Sequence, residues 1–241
     1  MKYFIVSDIH SNLEALESVL AEREKHYSDS QLVCLGDIVG YGPSPNECIE
    51  MIFEHTENTF LGNHDSAVTG STSPERFNSY AREAIQWTKN HISRDNLSRL
   101  RGMHLGRHFD DFLAVHSSPS DPRSWIYVTS IYTAYKEFKS VDDKVIFIGH
   151  THIPAVFTMD SDVEMTLPES IHLDRHKRYI INVGSVGQPR NADPRACCAV
   201  FDTEKMDVIY IKSVYDIDKT AKRIRDAGLP GFLSDRLKRG V

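Results

Sequence analysis

A chain of 241 residues, 40% of them hydrophobic, is long enough for one α/β domain with a large core or for two small domains. No apolar run approaches the roughly 20 residues of a membrane helix. Met1-Lys2-Tyr3-Phe4-Ile5-Val6 runs straight into Asp8 without signal-peptide anatomy, so a cytoplasmic protein with no membrane partner is expected. The formal net charge of −6, with no Lys/Arg-rich block, argues against wrapping long nucleic acid and leaves room for a small anionic substrate. Cys34, Cys48, Cys197 and Cys198 form no C-x-x-C pair and read as buried, reduced thiols.

Lys2–Ser7 predicts a buried strand, because Tyr3, Phe4, Ile5 and Val6 are apolar without a break. Asp8-Ile9-His10 follows in the loop at its C-terminal end. Ser11-Asn12-Leu13-Glu14 has the form of a capping box with Ser11 as N-cap, and the next helix places Leu13, Leu16, Val19 and Leu20 on one face. Gln31–Leu35 is a second strand, closed by Gly36-Asp37. Gly40-Tyr41-Gly42-Pro43 is a turn, and Ser44-Pro45 starts a helix with Cys48, Ile49, Ile52 and Phe53 inward. Glu57–Phe60 predicts a third strand, leading into Leu61-Gly62-Asn63-His64-Asp65.

Ser66–Ser73 is small and polar and reads as a loop. Pro74–Lys89 and Arg94–Arg101 read as helices, the second ending near Gly102. This mainly helical segment, 66–111, either caps the site or completes a layer. Asp110-Asp111 is a hairpin turn before a strand at Phe112–His116, and Ser130–Phe138 is a helix through Ile131, Tyr135 and Phe138. Lys144–Ile148 is an apolar strand ending in Gly149-His150-Thr151-His152. The pattern then turns to β: Ala155–Met159 and Val163–Leu167 flank a hairpin signal, and Arg178–Asn182, Cys197–Asp202 and Asp207–Ser213 follow. A helix near Asp216–Ala227 and an irregular tail close the chain. Without repeat, low-complexity stretch or linker, residues 1–241 read as a single domain.

Five stretches share one character: Asp8-x-His10, Gly36-Asp37, Gly62-Asn63-His64-Asp65, His116 and Gly149-His150-x-His152 each follow a predicted strand end. Singly, each has an ordinary reading as a cap, a loop pair or a satisfied core histidine. Jointly they supply carboxylates, neutral imidazoles and one amide oxygen, the donor set of a two-metal phosphoesterase. A carboxylate bridges ions about 3.5–4 Å apart, and a solvent molecule between them would lose a proton and attack phosphorus. Mixed N/O ligation without thiolate suits manganese, iron, zinc, cobalt or nickel, with manganese placed first. Within Asn63-His64-Asp65, the order suggests an oxygen ligand, a titratable ring and a carboxylate to orient that ring.

This order of motifs resembles the calcineurin-like metallophosphoesterase superfamily, and Gly184-Ser185-Val186-Gly187-Gln188-Pro189-Arg190 extends the likeness to its bacterial and archaeal phosphodiesterase-type members. The resemblance implies an α/β fold, a four-layer α/β/β/α sandwich of two mixed sheets. It implies that Asp8, His10 and His152 hold one metal ion, that Asn63, His116 and His150 hold a second, and that Asp37 bridges them. His64 would contact the substrate phosphate or protonate the leaving oxygen, with Asp65 orienting it. The family's protein phosphatases carry two phosphate-gripping arginines that are absent here: Ile38 follows Asp37, and Leu61 precedes Gly62. That disfavours a phosphoprotein phosphatase or a symmetrical diadenosine tetraphosphatase. A small phosphodiester or pyrophosphate-type nucleotide is expected ahead of a phosphomonoester. A non-catalytic scaffold is disfavoured because no ligand position is replaced. Candidate substrate contacts are Asn12, Tyr41 as a base-stacking ring, Ser185 with the backbone N–H groups of its loop, and Arg190 as a replacement phosphate grip.

Overall fold

The apolar run after Met1 serves two cores at once, because successive strand side chains point to opposite faces. In the computed structural model, which describes residues 1–241, the elements are β1 (Lys2–Val6), α1 (Leu13–His26), β2 (Gln31–Cys34), α2 (Pro45–His55), α3 (Asn63–Thr69), α4 (Ser79–His91), α5 (Arg94–Arg101), β3 (Gly106–His108), β4 (Leu113–Val115), α6 (Ile131–Ser140), β5 (Val145–Ile148), β6 (Ala155–Met159), β7 (Val163–Thr166), β8 (Ser170–His172), β9 (Arg178–Asn182), β10 (Ala196–Asp202), β11 (Asp207–Ser213), α7 (Ile217–Asp226) and α8 (Gly231–Leu237). One sheet has the order β2-β1-β10-β11-β8 and the other β3-β4-β5-β9-β6-β7. Both are mixed: β1–β2, β4–β5 and β5–β9 pair in parallel, and the remaining pairs are antiparallel.

Alternation builds the layers. Tyr3 and Ile5 of β1, Phe147 of β5 and Phe201 of β10 meet between the sheets. Phe4 and Val6 point instead to α1 and α2, while Ile146 and Ile148 point to Phe138 of α6. Helix, sheet, sheet and helix are thus stacked, the expected four-layer α/β/β/α order. Phe147 packs edge-on against Phe112 at 5.3 Å between centroids, and each such buried ring contributes about 1.5–3 kcal/mol. No helix is long and apolar enough to cross a membrane.

Several elements differ from expectation for local reasons. Asn12, not Ser11, is the N-cap of α1; its side chain accepts from Ala15 N. Glu57–Phe60 is no strand, only two isolated bridges, Cys34 with Thr59 and Phe60 with His104. The expected helix at Pro74–Lys89 is broken: Pro74–Arg76 is one 3₁₀ turn, and Asn78 then caps α4. α3 occupies the start of the expected loop, beginning at the site residues themselves. β3 and β8 are short polar edge strands without apolar alternation. In α6 the inward residues are Ala134, Glu137 and Phe138, whereas Ile131 and Tyr135 are exposed. The expected irregular tail contains α8, which buries Leu233 and Leu237 against Tyr41 and α4.

Candidate metal centre

The parallel pairs β1–β2 and β4–β5 bring four chemical loops to one edge of the sandwich. Asp8 follows β1, Asp37 follows β2, His116 follows β4 and His150 follows β5. The two sheets touch there: a Cβ on Gly149 would lie 2.0 Å from Ser7 Oγ, so only glycine admits that approach. Backbone strain marks the same place. Asp8, His10, Asp37, His150 and His152 all have φ between 51° and 68°, the left-handed region. That conformation costs a non-glycine residue about 1–2 kcal/mol, and here the packed loops enforce it.

Two clusters form, and one carboxylate lies between them. Asp8, His10 and His152 make the first group, and Asp37, His116 and His150 the second, each with its ligand-type atoms within 4.8 Å of one another. Asp37 Oδ2 lies 3.8 Å from His10 Nε2 and 3.4 Å from His116 Nε2, so a single oxygen faces both groups. Asn63 Oδ1 lies 3.3 Å from His116 Nε2 and joins the second group. The other oxygens are tied to backbone: Asp8 Oδ2 accepts from His150 N at 2.9 Å, and Asp37 Oδ1 accepts from His64 N at 2.8 Å.

The protonation pattern fits a cation. His10 Nδ1 lies 3.1 Å from Val39 O, and His152 Nδ1 lies 2.6 Å from Gln188 O. A carbonyl only accepts, so both rings carry their proton on Nδ1 and a lone pair on Nε2. Those two Nε2 atoms face each other at 3.0 Å, with Asp8 Oδ1 3.2 Å from His152 Nε2 and bonded to no donor. Facing lone pairs and an orphaned buried carboxylate oxygen suit an electrophile, and a divalent metal would supply it. His150 donates from Nε2 to Trp125 O at 3.0 Å, leaving Nδ1 as its free donor atom. Burial holds His10, His152 and His150 (about 3) below the ordinary imidazole range, so these rings are neutral and keep a lone pair that a metal could take. Burial also opposes charge on His116, but the touching Asp37 carboxylate outweighs it and pushes that ring up to about 9. The proton held at this contact is the charge a metal replaces.

His64 borders the clusters: one of its ring nitrogens lies within 4.8 Å of ligand-type atoms of His10 and Asp37. Its ring lies 4.8 Å from that of His10, 4.5 Å from Tyr41 and 4.9 Å from Phe77. Gly40, at φ +95°, backs it so closely that a Cβ would lie 2.5 Å from His64 Nδ1. Burial pushes the ring down to about 4, against the pull of Asp37. Asp65 does not touch that ring. Its oxygens accept from Val39 N and Gly62 N, both at 3.1 Å, which fixes the start of α3 and so the direction of His64. The expected direct orientation is therefore replaced by positioning through backbone.

The expected substrate contacts divide. Asn12 is spent on capping α1, on Gly187 O at 2.9 Å and on Thr220 at 3.2 Å. Ser185 donates to Asp8 O and accepts from Gln188 N, both at 2.8 Å. The N–H groups of Val186 and Gly187 bind Ser7 O and Asp8 O, so these two are not free for an oxyanion. Tyr41 is buried edge-on against His10 and borders the cleft beside His64. Arg190 is half-buried beside the first cluster: its N–H binds His152 O, and its guanidinium reaches Tyr41 and Gln188.

Other residues wall the opening. A cavity of about 230 Å³ borders Asn63, His64 and His150 and is lined further by Phe77, Trp125, Tyr127 and Arg76. Tyr127 stacks on the His150 ring at 3.9 Å and 20°. These residues lie in irregular stretches without periodic signal; an exposed Trp-x-Tyr was their only trace in the sequence. Asn182, at the end of β9, is another positioning residue: it donates to Gly149 O and Thr151 Oγ1 and so braces the His150–His152 loop. The seven histidines outside the motifs, His26, His55, His91, His104, His108, His172 and His176, are all exposed.

Comparisons with known proteins agree with this geometry. The chain is 39% identical to the uncharacterized protein MJ0912 of Methanocaldococcus jannaschii, over 97% of this chain and 96% of that protein. It superposes on a metallophosphoesterase from Sphaerobacter thermophilus with a TM-score of 0.89, at 38% identity, covering 100% of this chain and 99% of that one. The hypothetical protein PH1004 from Pyrococcus horikoshii shares the fold at TM-score 0.81 and 18% identity, covering 100% and 98%. The model of the calcineurin-like phosphoesterase superfamily domain matches residues 1–206. With that match spanning every residue of both clusters, the chain belongs to the calcineurin-like phosphoesterase superfamily and is a metal-dependent phosphoesterase.

Proposed function

We propose that the protein is a dinuclear metal-dependent phosphoesterase acting on a small phosphodiester or pyrophosphate-type nucleotide. The observation that carries this reading is the 230 Å³ cleft that opens on Asn63 and His150 of the second cluster and on His64, with aromatic walls and Arg76 at its rim. Tyr127 and Trp125 offer faces on which a base stacks, while the unpaired Arg76 favours an anion. Asp8, His10 and His152 would hold one ion and Asn63, His116 and His150 the other, with Asp37 placed between the two groups to serve both. Manganese is the first choice among divalent ions for this mixed N/O set. When bound, the ions supply Lewis-acid polarisation of the phosphoryl oxygens and lower the pKa of the water nucleophile.

The chain's own residues do the rest. His64, neutral in the free enzyme, donates to the phosphate and delivers a proton to the leaving oxygen; an arriving phosphate anion raises its pKa towards that task. Arg190 grips a phosphate oxygen. Asn12, Asp65 and Ser185 position the loops without touching substrate, while Tyr41 lines the cleft beside His64. Residues 72–78 of the helical segment wall the cleft, while Ile85 and Leu100 of the same segment complete the core. A single domain and a cytoplasmic setting complete the reading, the latter supported by four buried, unpaired cysteines.

One activity panel on manganese-loaded protein tests it, comparing a phosphodiester, a phosphomonoester, a dinucleoside polyphosphate and a phosphopeptide. The expected result is preference for the diester or the dinucleotide. Preferential hydrolysis of the phosphopeptide overturns the substrate class even with the metal centre intact.

A further inference from the structure

Two guanidinium groups meet beside the first cluster; neither pairs with an Asp or Glu side chain, and Arg236 also bonds an oxygen of Val241. Arg190 Nη2 and Arg236 Nη1 donate to the same neutral acceptor, Gln188 Oε1, at 3.0 and 3.1 Å. Arg190 Nη2 also reaches Tyr41 Oη at 3.4 Å, and its Nε is buried without a partner. Arg236 Nε is held by Val241 O, and the Arg236 guanidinium lies over the Phe232 ring at 5.4 Å. Like charges held this close repel, and burial beside Arg190 pushes Arg236 down to about 10.

The pair is built, not incidental. Leu233 and Leu237 of α8 pack with Tyr41 and with Ala81 and Ala84 of α4, which sets Arg236 on the side of Tyr41. Ala192 N donates to Gly240 O at 2.9 Å and fastens the end of the chain to the loop after Arg190. Tyr41 in turn lies 4.7 Å from the His10 ring, so the pair sits one side chain away from the first cluster. Residues 207–241, which carry Arg236, lie beyond the family match.

We propose that Arg236 and Arg190 form a second anion subsite that takes the non-scissile phosphate of a pyrophosphate-type substrate. The inference rests on the phosphoesterase reading above and narrows its substrate class. The substrate lies across the centre, with its scissile phosphorus at the clusters, an aromatic group in the Tyr127–Trp125 cleft and the second phosphate on the arginines. Water adds to the scissile phosphorus, and the P–O bond to the bridging oxygen breaks. The second phosphate leaves with that oxygen and its electron pair, its added charge matched by the guanidinium donors. The water's protons pass to solvent and to the product phosphates. For diadenosine diphosphate the balance is one water consumed and two molecules of adenosine monophosphate released.

The test compares the manganese-loaded wild type with Arg236→Gln and Arg236→Lys. Substrates are diadenosine diphosphate and the p-nitrophenyl ester of thymidine monophosphate, which has one phosphate. The ratio of kcat/KM for the first to that for the second is expected to fall about tenfold or more in Arg236→Gln, the loss of a charge-assisted contact, and to recover in part in Arg236→Lys. In the unmodified enzyme, pyrophosphate is expected to inhibit about tenfold more tightly than orthophosphate, a readout that needs no variant. A ratio that stays fixed, whether both substrates fall together or neither falls, overturns the subsite, as does equal inhibition by the two anions. If the wild type hydrolyses neither substrate, the phosphoesterase reading and the subsite fall together. Turnover of the one-phosphate ester with a fixed ratio removes the subsite alone.

Discussion

Asp37→Asn is expected to bring hydrolysis to background and bound metal from two ions per chain to one at most. Asparagine keeps an amide oxygen for the His64 N–H that Asp37 Oδ1 accepts at 2.8 Å, so the start of α3 survives. What disappears is the negative oxygen that lies 3.8 Å from His10 Nε2 and 3.4 Å from His116 Nε2. Removing one partner of a buried charge pair costs about 3–5 kcal/mol, and here the loss falls on both clusters at once. Elemental analysis of the dialysed variant beside its circular dichroism spectrum checks the claim. Two retained ions with full folding would show that Asp37 is no bridge.

His64→Ala is expected to keep both ions and lose about 10²–10⁴-fold in kcat on a phosphodiester with an alkoxide leaving group. The ring packs on Phe77, Tyr41 and the His10 ring, and the reading above leaves it outside both ligand sets. A leaving group that departs without a proton, such as p-nitrophenolate, needs less help, so the loss on its ester is expected to be smaller. Equal losses on both substrates would assign His64 to phosphate binding. Unchanged turnover on the alkoxide ester would remove it from the chemistry.

The parts of this site that were legible in the sequence are those in which residue type dictates chemistry. Asp8, His10, Asp37, His116, His150 and His152 sit after apolar strands, and strand ends are where open α/β sheets place their sites; Asn63 instead follows two isolated bridges. Strands with a strong apolar run, such as β5, β9 and β11, were readable within a residue or two. What escaped was set by tertiary contact. Tyr41 and Tyr127 are both tyrosines in irregular loops. Only packing decides that the first is buried against His10 while the second stacks on His150 and faces the cleft. Asp65 beside His64 suggests a carboxylate–imidazole pair, yet at a helix start the backbone N–H groups of Val39 and Gly62 claim it first. Arg236 had no signal, because α8 is seven residues long and owes its place to Leu233 and Leu237 on a distant tyrosine.

The most direct test of the two-metal account is a titration of metal-free protein with manganese, following bound ions and hydrolysis of bis(p-nitrophenyl) phosphate on the same samples. Activity is expected to rise with the second equivalent and to level at two ions per chain. Anomalous scattering from the loaded crystal should then place one ion at Asp8, His10 and His152 and the other at Asn63, His116 and His150. Full activity at one ion per chain, or ions bound away from Asp37, would contradict the account.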